Sequence, residues 1–369
     1  MIIGLDVGGT HADVVLLGNE GVINEVKVPT DPSNLFQTVL SALEAITADI
    51  DPAKILRVVL STTLTTNAII QRKLPAVGMI VSGGPGIDPV FYRTNEHFAC
   101  LAGSIDHRGR EVEAIAVAEV AQARDRFLAA GIRHVGVVTK FSVRNAAQEL
   151  AIARELDGHF EKVFLGHRIS GNLSFPRRIA TTYLNAAVYP IHREFFEAVK
   201  NSLARKGLKV PIRILKADGG NMNFEASIDY PAQTIFSGPA ASVMGSIAFG
   251  PEKGDVLVMD IGGTTTDMAV LVDQVPLLDL QGVELGGFKT LIRSLKTHSI
   301  GIGGDSTVRL EEGRIQIGPG RDGPAMAHGG PSPTPTDALV LLGKARTGSQ
   351  ELAAQGFKPL ADQLGVSLE

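Results

Sequence analysis

Two octets in this sequence hold the residues best suited to chemistry. Residues 6–13 read Asp-Val-Gly-Gly-Thr-His-Ala-Asp, and residues 260–267 read Asp-Ile-Gly-Gly-Thr-Thr-Thr-Asp. The leading aspartate, both glycines, the threonine and the closing aspartate coincide at one constant offset. Each octet follows an apolar run, Ile2-Ile3-Gly4-Leu5 in one and Val256-Leu257-Val258-Met259 in the other, and each precedes a second apolar run. That context predicts a duplicated strand, glycine turn and strand. Consecutive backbone N–H groups in such a turn form a nest for phosphate oxygens. Glycine lets the main chain approach a polyphosphate with no Cβ in the way. The threonine hydroxyl adds a donor. An aspartate cannot meet phosphate directly, because both are anions, and it needs Mg2+ or the water shell of Mg2+ between them. A single copy is equally well an ordinary tight hairpin. Two copies in the same strand context favour phosphate binding, and two such loops would clamp a nucleotide's phosphates from both sides. Phosphoryl transfer requires mainly such positioning and charge neutralisation. Neither octet belongs to a Walker loop or a Gly-x-Gly-x-x-Gly fingerprint.

The elements that must position these loops follow from periodicity. Strands are predicted at residues 2–7, 12–17, 22–28, 57–61, 77–82, 134–139 and 162–165, and helices at 33–46, 65–71, 117–130 and 146–156. Asp31 or Ser33 is available to cap the first helix. Residues 179–206 form the longest helical candidate, with an interruption expected at Pro190. The chain is expected to divide just before it, at Ser174-Phe175-Pro176. The second half repeats the theme. A strand at 212–216 leads to a glycine loop at 218–221, and a Ser237-Gly238-Pro239 turn leads to a helix at 240–248. Strands follow at 256–260 and 268–272, then a Gly/Pro-rich surface loop at 318–336 and a helix at 337–342. Alternating strands and helices indicate an α/β protein.

Composition narrows the function. At 369 residues the chain is long enough for two domains, 1–176 and 177–369. A formal net charge of −4 gives no basic field for nucleic acid, and the absence of Trp weakens base stacking. Cys100 is the only cysteine, so no internal disulfide or cysteine-based zinc cluster can form. His97 and Cys100 read as structural residues. No long apolar run suggests a membrane span or a leader, and the reading is of a cytoplasmic protein. Glycine, at 41 residues, clusters between apolar strands with no short period, which excludes collagen-like and low-complexity readings.

In order along the chain, LDVGGTHADVVLL, STTLTTNAII, FSGPAASVMGS, MDIGGTTTDMAVL, SIGIGGDST and PTPTDALVLLG resemble the hydantoinase A/oxoprolinase family. The paired octets look like the phosphate-1 and phosphate-2 motifs of the superfamily of actin, sugar kinases and heat-shock ATPases. The resemblance covers nearly the whole chain. It implies two ribonuclease-H-like, actin-like ATPase domains around a nucleotide cleft, the second incomplete at its C-terminus. It also implies ATP and Mg2+ as cofactors, and a reaction in which a carbonyl or amide oxygen is phosphorylated to make a poor electrophile reactive. The implied substrate is a cyclic amide or a ketone-like molecule, acted on with a second hydrolase subunit in an oligomer.

Carried over residue by residue, the resemblance implies that Asp6 and Asp260 organise Mg2+ and the attacking group. Gly8, Gly9, Thr10, His11, Gly262, Gly263, Thr264 and Thr265 would hold phosphates, and Gly301, Gly303 and Gly304 would line the nucleotide. Thr62, Thr63, Thr66 and Asn67 would face the substrate, with an ordinary helix cap as their alternative. The sequence departs from the family pattern at His11, Ala12, the stretch Phe175-Pro176-Arg177-Arg178 and Asp305, where a carboxylate stands in place of a third glycine. Family members also continue past residue 369, so the adenosine side of the site is expected to be incomplete here. Two other readings share the fold: a small-molecule kinase and a non-catalytic nucleotide-binding module.

Overall fold

The first apolar run forms strand β1 (Ile2–Val7), and the chain returns as β2 (His11–Gly18). β1 buries Ile3, Leu5 and Val7 on one face, the period-two pattern of a strand packed on a core. The protein, described at residues 1–8, 11–31 and 33–368 of a computed structural model, is a mixed α/β fold. It comprises two compact units, Met1–Ala241 with Leu278–Leu295, and Ser242–Leu277 with Lys296–Glu369. Among the described residues no helix is long and apolar enough to cross a membrane.

In the first unit, β3 (Gly21–Pro29) is followed by helix α1 (Leu35–Ile46). Asn34, rather than Asp31 or Ser33, caps α1 by accepting from the Gln37 N–H. Then come β4 (Arg57–Thr62), α2 (Leu64–Ile70), β5 (Gly78–Ser82), β6 (Phe98–Cys100), α3 (Val117–Ala129), β7 (His134–Thr139), α4 (Ala147–Glu155) and β8 (Lys162–Leu165). The long helix α5 (Phe175–Arg205), β9 (Ile212–Leu215), β10 (Asn221–Asn223) and α6 (Ser237–Ser246) complete the sequence. One six-stranded sheet has the order β10-β9-β4-β1-β2-β3, and β1, β4 and β9 are parallel within it. A four-stranded, all-parallel sheet has the order β8-β7-β5-β6.

α5 serves both sheets. Its C-terminal half places Phe195, Val199 and Leu203 in the core with α1 and the first sheet, and its N-terminal half places Ile179, Leu184 and Val188 against the second. The break expected at Pro190 does not occur, and the helix runs through it. Residues 178–189 are buried without a gap. Burying that many side chains, at about 2 kcal/mol for each large apolar one, outweighs the roughly 3 kcal/mol cost of an internal proline. Ser237-Gly238-Pro239 likewise forms the first turn of α6 rather than a turn before it, because proline is compatible with a helix's first turn. Residues 176 and 177 lie in the first turn of α5, within the first unit.

The second unit is built on β11 (Asp255–Ile261) and β12 (Thr266–Val272), which pair antiparallel. β13 (Val275–Pro276) and β14 (Thr297–Ile300) both pair with β12. Helices α7 (Pro335–Leu341) and α8 (Gln350–Leu364) follow. α7 opens with a reciprocal capping box between Thr334 and Asp337.

Candidate phosphate-binding loops

The duplicated octets form the same hairpin twice. In β1–β2, Asp6 stands opposite Asp13, and in β11–β12, Asp260 stands opposite Asp267. The Gly8 N–H donates to the His11 carbonyl at 2.9 Å, and the Gly262 N–H donates to the Thr265 carbonyl at 2.9 Å. Sequence identity at the glycines thus extends to the same turn-closing bond. Gly9 and Thr10 lie outside the described residues.

The second loop is the more completely defined. Gly262, Gly263, Thr264 and Thr265 are exposed. Among the described residues, the N–H groups of Gly263, Thr264 and Thr265 have no protein acceptor. Adjacent N–H groups without a protein acceptor are what an anion-binding nest requires. The loop rests on the other glycine motif: the Gly304 N–H donates to the Gly262 carbonyl at 2.8 Å, and the Asp305 N–H to the Gly263 carbonyl at 2.7 Å. A Cβ on Gly303 would fall 2.6 Å from the Gly262 oxygen, so the two backbones meet where no side chain fits. Gly303 is buried and braced by the Ser306 hydroxyl, which accepts its N–H at 2.8 Å, while Gly301 is exposed. The Gly304 carbonyl accepts from both the N–H and the hydroxyl of Thr336. Gly303 and Gly304 therefore hold the Gly262–Thr265 loop in place.

Asp305, the unusual carboxylate, is paired with Arg321 at 2.8 Å. The arginine comes from the Gly/Pro-rich stretch, and it offsets the negative charge that Asp305 places beside Gly263.

Each leading aspartate is oriented by a serine that the sequence did not single out. The Ser61 hydroxyl, on β4, donates to Asp6 at 2.5 Å, and the Ser242 hydroxyl, on α6, donates to Asp260 at 2.6 Å. A carboxylate oriented by a serine hydroxyl suits a hydrated hard cation carried with phosphate, because such ions take oxygen ligands and keep several waters. Among the described residues no group of three or more His, Cys, Asp or Glu side chains is placed to cage a metal. The donor set thus fits Mg2+ held mainly by water and phosphate.

The threonine-rich stretch divides by burial. Thr62 and Thr66 are 1% and 7% exposed. The Thr62 hydroxyl donates to the Val7 carbonyl at 3.1 Å, and Thr66 Oγ1 accepts the Phe236 N–H at 3.0 Å. Ser237 adds a bond in each direction to the Thr62 backbone. These contacts fix the ends of β1 and α6 against the start of α2. Thr63, the N-cap of α2, makes no side-chain cap bond and is half-buried, as is Asn67. A Cβ on Gly238 would lie 2.6 Å from the Thr63 methyl, which accounts for that glycine. His11 is exposed on β2.

Family models described as hydantoinase/oxoprolinase N-terminal region and hydantoinase/oxoprolinase match residues 2–160 and 178–369. Caprolactamase subunit alpha of Pseudomonas jessenii is 23% identical over 413 residues, covering 100% of this chain and 59% of that protein. Acetophenone carboxylase gamma subunit of Aromatoleum aromaticum is 25% identical over 397 residues, covering 92% of this chain and 53% of that protein. The fold is shared with two solved structures. A nucleotide-free acetone carboxylase, described in connection with ATP-dependent acetone carboxylation, has a TM-score of 0.78 at 20% identity, covering 100% of this chain and 59% of that one. The ATP-dependent caprolactamase of Pseudomonas jessenii has a TM-score of 0.75 at 22% identity, covering 100% of this chain and 60% of that one. The chain spans 53% to 59% of the length of these curated relatives. With both halves matched in order, the chain belongs to the hydantoinase/oxoprolinase family.

Proposed function

We propose that this chain is a subunit of an ATP-dependent hydrolase of hydantoinase/oxoprolinase type, activating the carbonyl of a cyclic amide by phosphorylating its oxygen. The observation that carries the proposal is the duplicated loop, with its identical turn bond and, in the second copy, three adjacent N–H groups without acceptors. ATP with Mg2+, when bound, supplies the phosphoryl group and much of the charge neutralisation that transfer needs. The chain's own part is positional. Gly263, Thr264 and Thr265 hold phosphate oxygens, and Gly8, Gly9 and Thr10 do the same in the first copy. Asp6 and Asp260, each fixed by a serine hydroxyl, hold the hydrated cation and orient the attacking group. Gly303 and Gly304 keep the second loop in place, and Thr63 and Asn67 are the members of the threonine stretch with surface left for a substrate.

The names of the relatives support the partner side of the reading: caprolactamase subunit alpha and acetophenone carboxylase gamma subunit are each parts of larger assemblies. We extend this to a second hydrolase subunit for the present chain, and to an actin-like arrangement of its two halves. A non-catalytic nucleotide-binding role is the second reading. It is favoured by the exposure of Asp260 and of the strand that carries it.

The test is turnover of labelled ATP in the presence of hydantoin, 5-oxoproline or caprolactam. Asp260→Asn keeps the fold, since the residue is exposed, and lowers turnover at least about 100-fold, the scale of losing one preorganised electrostatic group. Asp6→Asn behaves alike. Unchanged turnover in both variants would refute the assignment, and binding of ATP with no turnover on any cyclic amide would favour the second reading.

A further inference from the structure

The six-stranded sheet carries a second feature on the edge that bears the Gly8 turn. β1, β4 and β9 run parallel, so all three deliver their carboxyl ends to that edge. Leu5 pairs with Leu60 and Leu60 with Ile214, so the chain leaves β9 with Lys216 level with Val7. Two strand spacings, about 10 Å, separate them, and Thr63 follows the end of β4 in between. Ligands of open parallel sheets gather at carboxyl ends. Beside Lys216 lies a cavity of about 160 Å3, room for one benzene-sized ring. Its frame is tightly held. The Ala217 N–H donates to the Gln233 carbonyl at 3.0 Å, and the Ala217 carbonyl accepts the Leu295 N–H at 2.8 Å. Thr181 Oγ1 and Asn185 Oδ1, on α5, accept the N–H groups of Leu291 and Ala232 at 2.8 and 3.1 Å. Arg177 Nη1 donates to the carbonyls of Gln281, Gly282 and Thr290 at 2.9 to 3.2 Å, which fixes the segment that supplies Ile292 and Arg293.

Within this frame several polar groups keep unused hydrogen-bonding capacity. Among the described residues, the Tyr230 hydroxyl, the Gln233 side-chain amide and the Arg293 guanidinium line the cavity without a protein partner. Lys216 Nζ meets only Asp218 Oδ2, at 3.1 Å, with the two side chains 25% and 17% exposed. An ammonium carries three donors, so two remain. Lys216 and Arg293 against Asp218 leave the cavity one positive charge in excess. We propose that this cavity seats the substrate, and that Lys216 and Arg293 make it selective for a one-ring amide bearing a single carboxylate over a neutral lactam. Its role as the substrate seat rests on the function proposed above, whereas the preferred size and charge follow from the cavity itself. The carboxylate takes charge-assisted bonds from both cations, and the Gln233 amide and Tyr230 hydroxyl are available to the ring. An anchor at the carboxylate leaves the ring carbonyl unclaimed for phosphorylation. A neutral lactam gains no charge-assisted bond and leaves both cations unanswered in a partly desolvated recess. Asp218 competes with the carboxylate for Lys216 and thereby tempers the affinity.

Equilibrium binding to the full 369-residue chain, without nucleotide, tests it with three probes. These are 5-oxoproline, 2-pyrrolidinone, which lacks only the carboxylate, and cyclopentanecarboxylate, which lacks the amide. 5-Oxoproline should bind at least about tenfold more tightly than either of the others, and added salt should narrow its lead over 2-pyrrolidinone. Lys216→Met and Arg293→Met should each weaken 5-oxoproline about tenfold or more and leave 2-pyrrolidinone unchanged. Asp218→Asn keeps an acceptor for the Gly220 N–H and releases Lys216, so it should tighten 5-oxoproline several-fold, a gain that misfolding cannot produce. The proposal is overturned if 5-oxoproline does not bind, if 2-pyrrolidinone binds as tightly, or if Lys216→Met and Asp218→Asn move the affinity in the same direction. The two proposals fail separately. ATP turnover driven by a cyclic amide yet indifferent to Lys216→Met sinks the cavity and leaves the proposed function standing. The predicted binding pattern with no turnover on any cyclic amide sinks that function and leaves the cavity's selectivity standing.

Discussion

Replacing Gly303 with alanine tests how the second loop is supported. The added Cβ would lie 2.6 Å from the Gly262 oxygen and the Gly263 carbonyl carbon, and 2.7 Å from the Gly263 oxygen. These are backbone atoms, so no side chain can rotate away. Ordinary carbon contacts need roughly 3.5 Å or more, so the two loops must part by about 1 Å. Parting them breaks the bonds from the Gly304 and Asp305 N–H groups to Gly262 and Gly263. Losing two such bonds costs about 2 kcal/mol, and residual overpacking adds about 1 kcal/mol or more. The expected loss is about 3 kcal/mol, confined to the second unit. Urea-dependent hydrogen exchange read at β12 measures it unit by unit. Gly301→Ala is the control, because its nearest neighbour is the Pro319 Cβ at 3.2 Å, a contact that small shifts relieve. The loosened nest should also bind Mg2+–pyrophosphate at least about tenfold more weakly, equivalent to about 1.4 kcal/mol. A Gly303→Ala protein as stable as the Gly301→Ala control, with unchanged pyrophosphate binding, would refute the support role.

Two further outcomes follow from named contacts. Arg321→Met should leave Asp305 uncompensated beside the nest and weaken pyrophosphate binding several-fold at low salt, and adding Asp305→Asn should restore it; titration calorimetry of the two variants decides this, and equal affinity in both contradicts it. Burial holds the His192 imidazole at a pKa of about 4. Its Nε2 bonds the Ser227 hydroxyl, and its Nδ1 has no partner. The unfolded chain binds this proton near pH 6.5, whereas the folded chain resists it until about pH 4. Stability is therefore full above pH 6.5 and falls as pH drops toward 4, by about 2 kcal/mol at pH 5 from this group. Chemical denaturation of the first unit across that window should show the fall, and His192→Gln should flatten it; a slope unaltered by the substitution contradicts the assignment.

The sequence made the hairpins legible because their signals are local: two glycines between apolar runs, repeated with the same flanking aspartates. The parts that depend on tertiary partners were not legible. Pro190 signals a break by any local rule, and only the burial of residues 178–189 around it explains why the helix continues. In sequence, Thr62 and Thr66 fit a substrate-facing stretch or a helix cap equally well, whereas their hydroxyl bonds to Val7 and Phe236 depend on which chain segments meet there. Asp305 reads as an isolated anion because Arg321 lies 16 positions away in a stretch without periodicity. The serines on Asp6 and Asp260 stood inside the family-like motifs, yet a hydroxyl's target cannot be read from spacing alone. The contrast between buried Ile3 and exposed Leu257 is invisible in two runs of the same apolar character.

The most direct test of the phosphate-loop assignment is a crystal structure of the 369-residue chain with Mg2+ and a non-hydrolysable ATP analogue at saturating concentration. The predicted result places phosphate oxygens within hydrogen-bonding distance of the Gly263, Thr264 and Thr265 N–H groups, with Mg2+ or its waters on Asp260. A nucleotide bound elsewhere in the chain, with those three N–H groups facing solvent and Asp260 free of the cation, would contradict it.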